Sequence, residues 1–375
     1  MIPYSTQQID DDDIAAVTRV LKSSHLTQGG EAEAFEAELA AYVGVRHAVV
    51  FNAATSALFA AYSAAGIGEG DEVVTTPVSF VATANMVLAT GAEPRFCDVK
   101  LDGNIDERFI ERLITPRTKA IVPVDFGGKP VAMAAIRAIA DKHGLLVIED
   151  ASHALGSEVG GAKVGSRADM AVFSFHAIKP ITTGEGGAVV TDDAAFAEKL
   201  RLIRSHGIVK KKLWNSDMTT LGYNFRMSDI AAALGRSQLK KIDSFIACRN
   251  EVAAYYDARF AEETLFSTPQ IPIECLSSRH LYPLMLIPQL HCPKEDIFEE
   301  LQARGIGVQV HYKPIYKNSY YEQRFGRQSL PVAEDFYRSE LSIPCHQGMT
   351  EEDARYVADT LLEVMERYRY RGCSF

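Results

Sequence analysis

The sequence predicts an α/β fold, with a large domain on a mainly parallel sheet followed by a smaller C-terminal α/β domain. Apolar runs of strand length, such as "LLVIED" and "DMAVFSF", alternate with stretches whose apolar residues recur at helical spacing. Those runs are nearly continuous instead of alternating with polar residues, which marks strands covered on both faces. A chain of 375 residues with 47% apolar content can also bury more than one core.

Taken in order, the acidic run Asp10 to Asp13 precedes "IAAVTRVLKS" and places negative charge in the first turn of a helix. The next helix is "EAEAFEAELAAYVG", stopped by Gly44. A short strand, "HAVVF", leads into the helix "ATSALFAAYSAAG"; "DEVVTTP" then reads as strand, "SFVATANMVLATG" as helix, "EPRFCDV" as strand and "IDERFIERLI" as helix. The pattern continues through the strand "TKAIVPVDF", the helix "VAMAAIRAIADKHG" and the strand "LLVIED". Two more strands, "DMAVFSF" and "GAVVTD", flank "HAIKPITTGEG", so Lys179 lies in a strand-to-strand connection; "DAAFAEKLRLIRSHG" returns to helix. From Ser228 to about Phe260 the periodicity fits one long helix, or two with a bend, and the domain boundary is placed within it. This divides the chain into residues 1–245, whose first segment is allowed to pack on the smaller domain, and residues 246–375. The second part is expected to hold strands at "HLYPLML" and "VQVHY" and helices at "KEDIFEELQARG" and "TEEDARYVADTLLEVMERY". There is no internal repeat.

The formal net charge is −10, and no stripe of Lys and Arg interrupts the scatter of basic residues, so neither nucleic acid nor an anionic membrane is the expected partner. The start "MIPYSTQQIDDDD" has no basic segment leading into an apolar core, and no stretch reaches the roughly 18 apolar residues of a span. A cytoplasmic protein acting on a small ligand is expected. Six widely spaced cysteines without a CxxC pair read as reduced thiols, and no metal site is expected.

Chemistry-bearing residues fall in three places. The strand "LLVIED" ends in Asp150, at the carboxyl edge where ligands of open parallel sheets sit; taken alone, Asp150 equally fits a cap for "ASHAL". Upstream, Ala54, Thr55 and Ser56 form the mouth of a helix directly after a strand, where free N–H groups can hold a phosphate or Thr55 or Ser56 can simply cap. Lys179 stands alone among small residues. A phosphate cradle, a strand-end carboxylate and an isolated lysine together fit pyridoxal 5′-phosphate, PLP. The lysine would form a Schiff base with its aldehyde, the carboxylate would keep the ring nitrogen protonated, and the helix mouth would hold the phosphate.

The stretches "EDASHALGS", "SFHAIKPITTGEGGAVVT", "RSHG", "LGYNFRMSDI" and "HYKPIY", in that order, resemble the DegT/StrS-type nucleotide-sugar aminotransferases, fold-type I PLP-dependent enzymes, over nearly the whole chain. The resemblance implies a homodimer with active sites shared between subunits. It makes Lys179 the Schiff-base lysine and Asp150 the partner of the pyridine nitrogen. Phe80 would stack on the ring, Ala54, Thr55 and Ser174 would meet the phosphate, and Asn224 would reach the phosphate from the other subunit. It places His153 near the cofactor hydroxyl, and His176 and Glu185 beside the active site; His311 and Tyr312 are candidates for contacting the sugar nucleotide. For His153, His176, His311 and Tyr312 a packed core residue is the alternative.

Ile178, where many members have threonine, and the "NAATSAL" turn depart from the commonest pattern. With "TTPVSFVATANM" and "VQVHYKPIY", they resemble the branch acting at C4 of UDP-linked 4-keto-6-deoxy sugars, closest to the C4 aminotransferases of pseudaminic acid biosynthesis. The implied donor is L-glutamate, and the implied acceptor is UDP-2-acetamido-2,6-dideoxy-β-L-arabino-hex-4-ulose. The alternatives are a C4 enzyme for the D-xylo ketone (bacillosamine type), another sugar aminotransferase, or, in a different class, a non-catalytic PLP-binding regulator. A sugar 3-dehydratase of the same scaffold would carry histidine in place of Lys179.

Overall fold

A computed structural model of the chain describes residues 1–369. Seven strands form its central sheet: β1 (His47–Phe51), β2 (Glu72–Thr75), β3 (Glu93–Phe96), β4 (Thr118–Val122), β5 (Leu146–Asp150), β6 (Met170–Ser174) and β7 (Gly187–Thr191). The order is β1-β7-β6-β5-β4-β2-β3. All run parallel except β7, which is antiparallel to both neighbours.

Both faces of the sheet are covered, which is why its strands lack polar alternation. On one face Ala48, Val50, Ala171, Phe173, Ala188 and Val190 pack on Phe35 and Leu39 of α2 (Gly30–Val43). The intervening Val49, Phe51, Val172 and Val189 face Leu58 and Ala61 of α3 (Ala54–Ala64). Helix starts follow capping chemistry. Asp10 and Asp13 close a reciprocal capping box on α1 (Asp11–Leu21), and Thr350 and Asp353 do the same on the last helix, Glu351–Tyr368.

The segment from Ser228 to Phe260 is two helices, Asp229–Leu239 and Ile242–Arg259. The first turns of the second helix pack Ile242, Phe245 and Ile246 on the large-sheet core, whereas Val252, Ala253 and Tyr256 enter a separate core. That second core surrounds a three-stranded antiparallel sheet of β8 (Phe266–Ser267), β9 (Tyr282–Leu286) and β10 (Glu340–Ile343). Ile2 packs against it and bridges Ile306.

The structure departs from the sequence reading in four places. "IDERFIERLI" gives one helical turn, Glu107–Ile110, and a tighter turn, Glu111–Leu113, because Pro116 disfavours helical backbone at Thr115. "VQVHY" is not a strand. Gln309 alone bridges Ser342, and the next ladder position is replaced by the Glu340 carboxylate, which accepts the His311 N–H at 2.6 Å. Two helices, Ser319–Phe325 and Pro331–Ser339, and two small hairpins were not anticipated. One hairpin, Glu158–Val159 with Ala162–Lys163, turns on Gly160 and Gly161, both at positive φ, the signature of a two-residue hairpin turn. The cysteine expectation holds for Cys97, Cys248, Cys275 and Cys345, which are free, but Cys292 is disulfide-bonded. Sequence spacing does not limit which thiols meet in a fold, and Cys373 lies outside the described residues. Among the described residues no helix is long and apolar enough to cross a membrane.

Candidate active site

β5 and β6 are parallel neighbours, with Asp150 opposite Val172, so their carboxyl ends open at the same edge of the sheet. The connection from β6 to β7 begins there and carries Lys179, whose N–H donates to the His176 carbonyl at 2.9 Å. β1 lies on the other side of the reversed strand β7, which delivers the start of α3 to the same place. The result is a cavity of about 480 Å³ lined by Lys179, Asp150, Ala54, Thr55, Phe80, Ser174, His153, His176, Glu185, His311 and Tyr312. These are all the sequence-derived candidates except Asn224, which is exposed and lies outside the cavity of its own chain.

Asp150 is 3% exposed. No helix follows it, so the capping alternative falls away. One carboxylate oxygen accepts from the Ser152 hydroxyl at 2.5 Å and N–H at 3.2 Å; the other accepts from Thr83 Oγ1 at 2.7 Å. Because the single Thr83 proton goes to Asp150, Ser79 must donate in its 2.7 Å contact with Thr83. This chain ties the segment around Phe80 to the carboxylate. Among the described residues Asp150 has no ion-pair partner, and a buried carboxylate of this kind calls for a cation.

Lys179 Nζ lies 3.4 Å from His280 Nε2. Burial pushes the amine down to about 7; Asp150 opposes that shift and the fully buried Arg249 guanidinium adds to it. A lysine that loses its proton near neutrality is a competent nucleophile and proton carrier. His153 is held well below the usual histidine range, first by burial and then by Lys179, so its ring is neutral. Nδ1 accepts the Gly127 N–H at 3.3 Å, leaving the proton on Nε2, which donates to Tyr312 Oη at 3.3 Å.

The start of α3 has no side-chain cap; Ser56 instead bonds Asn52 at 2.7 Å. Its N-terminal N–H groups therefore face the cavity side without a capping oxygen, the condition for receiving a phosphate. β7 approaches closely here, since a Cβ on Gly187 would stand 2.6 Å from Ala54 N. Phe80 is 60% exposed, with one edge on Tyr312 at 6.4 Å, so its ring remains available to a flat ligand. A carboxylate lacking a cation, an amine near neutrality, an uncapped helix mouth and an exposed aromatic ring fit the four demands of PLP.

The residues missed by sequence reasoning are His280, Thr83, Ser79 and Tyr4. Thr83 had a local signal, one helical turn beyond Phe80, whereas His280 comes from a segment 101 residues beyond Lys179 with no motif to mark it. A larger cavity, about 800 Å³, lies beyond Phe126 and Gly127. Its charged residues are largely paired, Lys129 with Asp102 at 2.8 Å and Lys100 with Glu107 outside the lining at 3.0 Å, and the described residues that line it include no comparable nucleophile.

Comparison with known proteins is consistent with this geometry. The sequence model of the DegT/DnrJ/EryC1/StrS aminotransferase family matches residues 7–362. The chain is 52% identical over 376 residues, covering 100% of both proteins, to a UDP-4-amino-4,6-dideoxy-N-acetyl-beta-L-altrosamine transaminase of Campylobacter jejuni subsp. jejuni. It superimposes on Helicobacter pylori PseC, an aminotransferase involved in the biosynthesis of pseudoaminic acid, with a TM-score of 0.95 at 46% identity, covering 98% of this chain and 99% of that one. A sugar aminotransferase from Streptococcus pneumoniae, solved in its PLP form, gives a TM-score of 0.93 at 28% identity, covering 98% and 99%. The chain belongs to the DegT/DnrJ/EryC1/StrS aminotransferase family.

Proposed function

We propose that this aminotransferase uses PLP to move an amino group from L-glutamate to C4 of UDP-2-acetamido-2,6-dideoxy-β-L-arabino-hex-4-ulose, giving UDP-4-amino-4,6-dideoxy-N-acetyl-β-L-altrosamine. The observation that carries the chemistry is the meeting of Lys179, Asp150 and the uncapped start of α3 in one cavity. The name of the relative that is 52% identical end to end supports the choice of sugar. PLP, when bound, supplies an electron sink for the carbon that loses a proton.

The chain's own residues do the rest. Lys179 Nζ, near neutrality, takes a proton and returns it, and Asp150 holds a positive charge on the ring nitrogen with Thr83 and Ser152 fixing its orientation. Ala54, Thr55 and Ser174 hold phosphate, Phe80 covers the ring, and the neutral pair His153 and Tyr312 offers hydrogen bonds without adding charge. His176, Glu185 and His311 line the remaining space for the sugar nucleotide.

The reading divides the chain into residues 1–245 and 246–375, supported by the two cores that share the helix Ile242–Arg259. It also assigns a cytoplasmic location, which four free thiols favour and the disulfide-bonded Cys292 counts against. A homodimer is part of the same proposal. The hairpin Ile208–Lys212 with Asn215–Met218 stands in solvent with Leu213 96% and Trp214 81% exposed, a surface that calls for a cover, and Asn224 follows shortly after. Mixing inactive Lys179→Ala and Asn224→Ala chains and allowing subunit exchange should restore turnover, because one site per mixed dimer regains both residues. No recovery would place Asn224 in its own chain's site.

The substrate is tested with the cofactor preloaded in its aminated form. Addition of the L-arabino ketone should return the visible absorbance of bound PLP. Return only with the D-xylo ketone would reassign the protein to the bacillosamine-type reaction, and an inert response to L-glutamate would support the regulator.

A further inference from the structure

His311 lines the active cavity, but its polarity is decided one layer behind it. The Glu340 carboxylate accepts twice, from the His311 N–H at 2.6 Å and from the Ser342 hydroxyl at 2.5 Å. Ser342 has one hydroxyl proton. Once that proton is given to Glu340, Ser342 Oγ can only accept in its 2.9 Å contact with His311 Nδ1. The ring is 6% exposed and burial pushes it down to about 3, so it carries a single proton, which this contact places on Nδ1. Nε2 is then left as a lone pair on a ring in the cavity wall.

We propose that Glu340 and Ser342 are positioning residues that set the tautomer of His311, making its Nε2 the hydrogen-bond acceptor for a hydroxyl or amide N–H of the sugar substrate. The proposal rests on the active-site reading above. The other groups around His311 are Tyr4, Tyr312, His153, His280 and Lys179, among which Lys179 and the two histidines supply donors or neutral rings. Burial pushes Glu340 up to about 8 against the pull of Ser342, the His311 N–H and Lys294, so the charged form that accepts from Ser342 prevails at alkaline pH. Its charge is what orients the relay. A protonated Glu340 would donate to Ser342, Ser342 would donate to Nδ1, and the ring proton would move to Nε2.

Glu340→Gln freezes that reversal in an isosteric side chain. The amide oxygen must stay on the His311 N–H, so the amide N–H₂ faces Ser342 and turns its hydroxyl toward Nδ1. Side-chain nitrogen NMR of the cofactor-loaded protein with isotope-labelled histidine, His311 being assigned by loss of its signal in His311→Phe, reads the tautomer directly. Wild type at mildly alkaline pH should carry the proton on Nδ1 and Glu340→Gln on Nε2, with wild type moving toward the Glu340→Gln pattern as pH falls. Ser342→Ala should give a mixture. In single half-reactions at the same mildly alkaline pH, Glu340→Gln should keep its rate with L-glutamate while KM for the keto sugar rises about tenfold or more, since a donor now faces a donor. The same tautomer in both proteins at every pH, or an unchanged KM for the sugar, overturns the proposal. If the proposed transamination were the reading at fault, wild type itself would show no half-reaction with L-glutamate, whatever the tautomer.

Discussion

Replacing Lys179 with methionine is expected to lower turnover by at least about a thousandfold and, in the cofactor-free protein, to raise stability. The loss follows from removing the only amine among the described residues lining the cavity, and steps of this kind are worth about 10²–10⁴ in rate before covalent participation is counted. The gain follows from proton linkage. The folded lysine titrates near 7 and the unfolded one near its ordinary value of 10.5. Below about 7 both states are protonated and the full cost of the buried charge is present; it fades as pH rises toward 10.5, where both are neutral. The melting temperature of Lys179→Met should therefore exceed that of wild type most at or below neutral pH, and the two should converge in alkali. Turnover within tenfold of wild type would remove Lys179 from the mechanism, and a pH-independent stability difference would contradict its burial as a titrating amine.

The second large effect is expected at Asp150. Asparagine keeps the size and one acceptor but not the charge, so a protonated ring nitrogen loses its partner in a site only 3% exposed. Breaking a buried pair by removing one member costs about 3–5 kcal/mol, which corresponds to a loss of about a hundredfold to several thousandfold in both half-reactions. Thr83→Val removes one hydrogen bond to the same carboxylate and should act in the same direction by about tenfold or less. Stopped-flow rates with L-glutamate and with the keto sugar check both variants. An Asp150→Asn enzyme slow with the sugar alone would mean that the carboxylate serves the substrate and not the ring.

The large sheet was legible because burial on both faces forces apolar strands and the crossovers between them force amphipathic helices. "HAVVF" coincides with β1, and "GAVVTD" with β7 but for its last residue, for that reason. Lys179 and Asp150 were legible because a lone lysine among small residues and an acid at a strand end are chemically out of place. His280, Glu340 and Ser342 were not, since nothing local distinguishes them from packed residues. Their meaning lies in who stands opposite, and residues 101 positions apart meet only through tertiary packing. "VQVHY" misled for the same reason. Its alternation is that of a strand, but a buried carboxylate on a neighbouring segment took over the hydrogen bond that would have extended the ladder.

The placement of β1 beside the reversed strand β7 reaches beyond catalysis. Residues 47–51 pair with residues 187–191, so the start of α3 at Ala54 and the connection bearing Lys179 come together only after the whole stretch between them is in place. A cofactor held by both, as proposed, would bind the completed sheet and not its precursors, and by mass action would hold β1 in its seat. Were β1 to leave, β7 would become a sheet edge made of "GAVVT", uncharged and buried on both faces, the kind of strand that recruits another chain. Vitamin B6 supply would then act on the protein as a guard against aggregation as much as a source of chemistry.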